Sequence, residues 1–205
     1  MPDNLSLSEL VGPNGWKHKW LENNDPRASA IAGLKEIINS GTGLVMDFRE
    51  GGEVGLNVFD DIEYPGKLIL LGSPVNNGKL PASNAGISSL VDVDNATEIA
   101  LSAREKKGLV GIHHSENGRE EIQPLLDLKP DFAVHICHAI VSDLKKITAN
   151  YISILVCPIR CLLYSSYSAL YLISSLLFLF SFIFLSYSFL PLSFFHLFSY
   201  YLFFF

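Results

Sequence analysis

Two histidines and a glutamate follow a short apolar run near the middle of the chain. Residues 109–112 lead into His113 and His114, and Glu116 comes three residues after His113. Read as a strand entering a loop, this pattern places an imidazole at the carboxyl end of the strand and a carboxylate one short turn beyond. Ligands and catalytic groups of β/α proteins gather at that end of the sheet.

A second apolar run repeats the pattern, because residues 132–134 lead into His135, with His138 close behind. Two successive strands that end in histidine are hard to explain as core packing, although one such histidine is commonly structural. Neutral imidazole suits zinc, iron and similar divalent metals. A carboxylate three residues past a metal ligand is well placed as a general acid or base. The spacing leaves open both a divalent metal site, with zinc or iron, and structural histidines, because it does not show a complete ligand set.

Strand and helix patterns alternate along residues 28–157. Apolar periodicity and turn residues predict strands over 43–48, 67–71, 86–91, 109–113, 132–135 and 151–157, and helices over 28–39, 55–64, 95–106, 120–128 and 140–149. Alternation with short loops indicates an α/β fold with a parallel sheet and helices outside it. Six such units are more than half of a TIM-type (β/α) barrel.

The composition divides the chain into two unlike parts. Every Asp, Glu, Lys and Arg lies in residues 1–160, which therefore carry the whole net charge of −6. This part has no basic stripe, so we expect no nucleic-acid partner. Cys137 and Cys157 have no CxxC spacing and read as reduced core thiols. These thiols, together with a polar start and no apolar h-region, predict a cytoplasmic protein.

A polar cluster follows the first predicted strand, where Asp47, Arg49 and Glu50 precede a Gly-Gly pair. Two interpretations stay open. The cluster is either part of a barrel mouth or an arginine–carboxylate pair that holds a loop, as structural ion pairs commonly do.

Several blocks of residues 5–160 resemble, in unbroken order, the amidohydrolase superfamily, in particular its cytosine-deaminase-like and chlorohydrolase-like members. The blocks are residues 10–19, 45–52, 86–89, 110–116, 130–139 and 156–158. The resemblance implies a (β/α) barrel with a divalent metal at the strand carboxyl ends and hydrolysis of C–N bonds, as in deaminases and amidases.

The resemblance also implies roles for three residues. His113 resembles the metal-ligand histidine that ends the fifth barrel strand. Glu116 resembles the carboxylate that carries protons between water and substrate. His135 resembles the sixth-strand histidine, which orients water or substrate and binds metal in two-metal members. His114 has no role in this match, and His138 would replace His135 only if the register were shifted.

Two family features are missing from the resembling region. Members carry a His-x-His pair on the first barrel strand and an aspartate at the end of the eighth, and residues 1–160 contain neither at the corresponding places. We therefore expect a partial barrel lacking its first and last strands, and a polypeptide of these residues alone that is inactive.

Residues 161–205 carry no Asp, Glu, Lys or Arg and consist mostly of Phe, Leu, Ser, Tyr and Ile. About 22 of them, residues 169–190, would be long enough to cross a bilayer, which takes roughly 20 apolar residues. The bias is also typical of low-complexity translation from a shifted reading frame. This apolar tail is therefore either a transmembrane segment, which would make the protein membrane-associated, or a frameshift product.

Three functions remain open at this point. The first is a metal-dependent amidohydrolase. The second is a non-catalytic, membrane-attached remnant anchored by the tail, and the third is a metal-free barrel protein with structural histidines.

Sequencing of the gene and its transcript tests the interpretation of the tail. We expect a clean read to replace the residues after about Arg160 with a charged β/α sequence that has an aspartate at a strand end, because charge is lost abruptly inside a barrel pattern. Tail peptides detected by mass spectrometry, together with reads that reproduce the printed tail, would contradict the frameshift.

Overall fold

Six parallel strands form one sheet in the part of the chain that the computed structural model describes, namely residues 6, 9–10, 14–75 and 78–156. The strands pair in chain order from β1 to β6, so each of the four inner strands lies between the strand before it and the strand after it. This sequential parallel order is the order of a (β/α) barrel. The strands are β1 (Leu44–Arg49), β2 (Lys67–Gly72), β3 (Ala85–Ile87), β4 (Val110–His114), β5 (Phe132–His135) and β6 (Ser153–Leu155).

Helices connect and cover these strands. They are α1 (Trp16–Asn23), α2 (Pro26–Asn39), α3 (Gly52–Asn57), α4 (Ala96–Glu105), α5 (Ile122–Leu128) and α6 (Val141–Ala149). The α2 start follows from its sequence: Asp25 accepts a hydrogen bond from the backbone N–H of Arg27 at 2.9 Å, and Pro26 occupies the first turn.

Two predicted bounds are wrong. The helix expected over 55–64 is α3, which begins at Gly52 because Gly51, with φ of +85°, turns the chain directly after β1. The strand expected over 86–91 is β3, which ends at Ile87. The residues after Ile87 form a turn instead, in which the Ser89 hydroxyl donates to the Asp92 carboxylate at 2.7 Å.

The sheet curls strongly. The ring of Phe48 on β1 lies 4.5 Å from the ring of His113 on β4 and 6.1 Å from the ring of Phe132 on β5. Strands three places apart in a flat sheet are separated by roughly 14 Å, at about 4.8 Å a strand, and their side chains could not meet. The described sheet is therefore an open, six-stranded part of a barrel wall.

The two faces of the sheet have separate apolar cores. The concave face buries one small cluster, which is formed by Phe48, Leu71, Phe132 and Val134. Met46 and Leu155 are partly buried at its edge. The convex face packs against the helices through a larger cluster that includes Val110 and Ile112. Alternate residues of β4 and β5 supply the two cores, as the two-residue period of a strand requires.

The tail lies outside the described residues, and so does the proposed transmembrane stretch within it. Among the residues that the structure does describe, no helix has the length and apolar character needed to cross a membrane.

A methyl group at Gly111 tests the tight packing on the concave face. A Cβ there would overlap the Phe132 ring and approach Cζ of Phe48 to 2.9 Å. Gly111→Ala should lower the free energy of unfolding by about 1–3 kcal/mol or more, measured by urea denaturation. Gly43→Ala is the control, since a Cβ at Gly43 has no neighbour within 4 Å. Equal effects of the two substitutions would contradict this packing.

Candidate metal centre

Three side chains from neighbouring strand ends converge at the carboxyl edge of the sheet. His113 belongs to β4, Glu116 follows in the loop after it, and His135 ends β5. The Nε2 atom of His135 lies 3.4 Å from Oε1 of Glu116, and Nδ1 of His113 lies 3.9 Å from Oε2 of the same carboxylate. We call these three residues the His–Glu–His group. The structure thus brings together all three site residues predicted from the sequence.

Burial differs within the group. The side chains of His135 and His113 are 0% and 10% exposed, whereas that of Glu116 is 18% exposed. The imidazoles meet edge to face with 4.9 Å between ring centroids, and Phe48 supports the His113 ring from within the concave core. The carboxylate is therefore the member most open to solvent.

His135 reaches this group through an unusual backbone conformation. Alternation along β5 puts Val134 on the concave face and would send His135 to the convex face, level with its register partner His114. Instead, φ is +74° at His135 and +54° at Ile136. These left-handed residues reverse the direction of the side chain and turn the His135 imidazole toward His113.

Three of the eight non-glycine residues that have a positive φ in the described part of the chain lie at these two strand ends. Ser115 adopts φ of +51°, in addition to His135 and Ile136. Each costs roughly 1–2 kcal/mol relative to a right-handed conformation, and a β-branched residue such as Ile136 is especially rare there. Strain of this kind persists where the surrounding structure fixes it, which is common at functional sites.

A second polar network, not predicted from the sequence, lies behind the group. Nδ1 of buried His114 lies 3.1 Å from Oε2 of Glu120. Oε1 of Glu120 accepts a 2.7 Å hydrogen bond from the backbone N–H of Ser115, and the Ser115 hydroxyl accepts one from the Glu120 N–H at 3.2 Å. We call these three residues the 114–120 network. Ser115 and Glu120 flank a loop just before an apolar helix, with a longer spacing than in a capping box. This Ser–Glu pair is the sequence signal that could have indicated the network.

His138 and Cys137 lie outside the His–Glu–His group. The N–H of His138 donates to the carbonyl of Ser115 at 3.2 Å, so its backbone ties the β5 loop to the β4 loop. Cys137 is buried, as expected, and follows the end of β5. Cys157 lies outside the described residues.

Asp47 and Arg49, near the end of β1, form the arginine–carboxylate pair of the second interpretation. Arg49 NH1 lies 3.3 Å from Oδ2 of Asp47, and Nε of Arg49 donates to the carbonyl of Gly55 in α3 at 3.2 Å. Both side chains are buried on the convex side, where Phe59 stacks under the guanidinium. Burial raises the pKa of Asp47 to about 6, and the positive charge of Arg49 offsets part of that rise. The pair holds α3 against the sheet.

A pocket of about 280 Å³ lies at the carboxyl ends of β1 to β3 and the start of α4. Its rim includes Glu50, which also forms a 2.7 Å ion pair with Lys17. Its polar lining is otherwise Ser73, Ser88, Asp92 and Asn95. None of the three group residues lines this pocket.

The donor set of the His–Glu–His group fits a divalent metal. One ligand atom from each residue can be chosen so that all lie within 4.8 Å of one another. Ligand atoms on a tetrahedral ion with bonds of 2.0–2.1 Å are roughly 3.4 Å apart, which is the separation of His135 Nε2 and Glu116 Oε1. Two imidazoles and a carboxylate form one of the ligand sets used by catalytic zinc. Small side-chain shifts at His113 would complete the fit.

Comparison with known proteins finds archaeal relatives. A protein of Archaeoglobus fulgidus named "Putative aminohydrolase" is 32% identical over 137 residues, which cover 64% of this chain and 42% of the relative. A protein of the same name from Methanothermobacter thermautotrophicus is 25% identical over 191 residues, or 76% of this chain and 50% of the relative. An uncharacterized protein of Methanocaldococcus jannaschii is 31% identical over 189 residues, with 75% and 50% covered.

The chain spans half or less of the length of these relatives. No family model matches the chain, and no solved structure matches it. Two of these three relatives thus carry the name of a hydrolase.

Asp47 should make the stability of the fold depend on pH. The folded state binds the Asp47 proton more tightly than the unfolded chain does, because burial raises its pKa from 3.8 to about 6. The stability that this tighter proton binding adds to the folded state is fully present below about pH 4. It is lost as the pH rises through 6, and the loss amounts to up to about 3 kcal/mol. Asp47→Asn should therefore gain stability relative to the wild type between pH 4 and 7, measured by urea denaturation.

Asp60→Asn serves as the control for this titration, because Asp60 is exposed. A pH-dependent gain of the same size in both variants would not come from the burial of Asp47. A constant difference between Asp47→Asn and the wild type would show that the Asp47 carboxyl is not desolvated as the structure indicates.

Proposed function

We propose that this protein is a metal-dependent hydrolase of the amidohydrolase type that acts on C–N bonds of a small molecule. The observation that carries the proposal is the convergence of His113, Glu116 and His135 at the carboxyl edge of a partial (β/α) barrel. The relatives named aminohydrolase support the same class of reaction.

The two imidazoles are the proposed metal-binding residues, with His113 as the principal ligand and His135 beside it. A divalent ion such as zinc or iron supplies Lewis-acid chemistry, which makes water nucleophilic near neutral pH and polarises the bond under attack. His113 lies on β4 and His135 at the end of β5. These positions suit metal binding, because ligands on rigid elements keep their geometry better than ligands on loops.

Glu116 is the proposed proton carrier. Its carboxylate lies between the two imidazoles and is more exposed than either of them. In hydrolysis of a C–N bond, it takes a proton from the attacking water as the C–O bond forms. It then gives that proton to the nitrogen as the C–N bond breaks, so that the leaving amine or ammonia departs neutral.

The pocket at the ends of β1 to β3 is the proposed place for part of the substrate. It opens on the same edge of the sheet as the His–Glu–His group, and its size suits a small molecule. Hydroxyl, amide and carboxylate groups line it, so it would favour a polar substrate that carries N–H donors.

The described ranges contain no further His, Cys, Asp or Glu that joins the three-residue group. A catalytic zinc site usually has three protein ligands. If Glu116 carries protons, only two remain here. For a polypeptide limited to residues 1–205 we therefore expect weak metal binding, visible by titration but not retained on purification, and no hydrolysis above a metal-free control.

Substitutions in a full-length version, in which the first and last barrel strands are restored, separate the two roles. His113→Ala should lower the affinity for Zn²⁺ by about 10–100-fold or more, because it removes a ligand. Glu116→Gln should keep that affinity within a few-fold while kcat falls about 10²–10⁴-fold, because the amide cannot carry the proton. Isothermal titration with Zn²⁺ and ammonia release from a panel of amino-substituted heterocycles measure the two effects.

His138→Ala is the matched control, because this histidine is close by yet outside the group. It should leave Zn²⁺ affinity and kcat near the wild-type values. Loss of metal in Glu116→Gln would instead make the carboxylate a ligand, and near-native kcat in that variant would remove its proposed role.

A further inference from the structure

We propose that Glu120 is a positioning residue for this centre, holding the loop that carries Glu116 in register with the strand that carries His113. This inference rests on the proposed function for its consequence, namely metal binding and turnover. The geometry that supports it is independent of that function and comes from the 114–120 network.

Both carboxylate oxygens of Glu120 are used on the segment that contains the site. Oε2 lies 3.1 Å from the imidazole of His114, which is 1% exposed and directly follows His113. Oε1 accepts the N–H of Ser115, which directly precedes Glu116, at 2.7 Å. One side chain therefore contacts the two residues that separate the metal-ligand histidine from the proton carrier.

The contact is reciprocal. Ser115 holds the backbone of Glu120 through its hydroxyl at 3.2 Å, so the loop between them is closed at both ends. Its middle residues, Asn117, Gly118 and Arg119, are exposed. Nε of Arg119 donates to the carboxylate of buried Asp143 at 3.3 Å and anchors the loop beyond Gly118. The contacts between Ser115 and Glu120 hold the residue directly before Glu116, so they act on its position from the other side.

The network also reaches the strand that carries His135. The carbonyl of Ser115 accepts the N–H of His138, and the carbonyl of His114 accepts the N–H of Ile136 at 3.0 Å. Ser115 and Ile136 are two of the left-handed residues, whose conformations need outside support. Fixing Ser115 therefore fixes the relative positions of the β4 and β5 loops, and with them the distance between Glu116 and His135.

Partners that orient metal ligands commonly contribute 10–100-fold to metal affinity or activity. A residue that only stabilised the fold would change the unfolding midpoint and leave the metal geometry alone. The two roles are separable, because the visible spectrum of bound Co²⁺ reports ligand geometry and not stability.

The experiment compares Glu120→Ala, Glu120→Gln and Glu121→Ala in the full-length protein. Glu121 is the matched control, since it is exposed and its side chain makes no cap hydrogen bond at the start of α5. Co²⁺ titration should show affinity lowered about tenfold or more, with an altered spectrum, in Glu120→Ala. Glu120→Gln should restore both to within a few-fold, because its amide oxygen still accepts the Ser115 N–H. Wild-type affinity and spectrum in Glu120→Ala would overturn the proposal.

A metal-free measurement keeps this inference separate from the proposed function. Amide hydrogen exchange of residues 115–118 and of His138 should be about tenfold faster or more in Glu120→Ala than in the wild type, Glu120→Gln or Glu121→Ala, as expected where local opening becomes easier. If the wild type binds no Co²⁺ but shows this pattern, the metal assignment fails and the positioning of the loop stands. Unchanged exchange at these amides in Glu120→Ala would overturn the positioning role itself.

Discussion

Close packing inside the curled sheet is the constraint on which the site depends. The rings of Phe48 and Phe132 fill the space over Gly111, where no Cβ can be accommodated, and this contact joins strands that a flat sheet would hold far apart. The same Phe48 ring lies against His113. The curvature of the sheet and the orientation of the first metal-ligand candidate therefore have one cause, the filling of a small concave core by two aromatic side chains.

Much of the fold could be predicted because buried parallel strands are short apolar runs bounded by turn residues. The order of β and α segments then gives a sequential sheet, and the carboxyl ends of neighbouring strands must meet at one edge. The proximity of His113 and Glu116 followed from three residues of spacing after a strand end. Segment ends were less accurate where local turns decided them, as at Gly51 before α3.

The orientation of His135 could not be predicted from its position in the strand. A two-residue period assigns it to the convex face. The left-handed conformation that reverses it is only occasional for histidine and rare for the β-branched isoleucine that follows. Contacts distant in sequence fix that conformation, through the hydrogen bond from Ile136 to His114 and the ring contact with His113. The partnership of His114 with Glu120 was missed for the same reason, since it depends on how a loop folds back.

Under the proposed function, the arrangement gives a reason for a carboxylate in a loop and imidazoles on strands. A metal ligand must keep one position, and the strand register of β4 and β5 provides it. A proton carrier must serve two positions, that of the attacking water and that of the leaving nitrogen, so it needs limited freedom. Glu116 has its neighbour Ser115 fixed on one side and exposed residues on the other. In the proposed mechanism, its carboxylate would move over a short distance while the anchor at Ser115 holds its backbone in place.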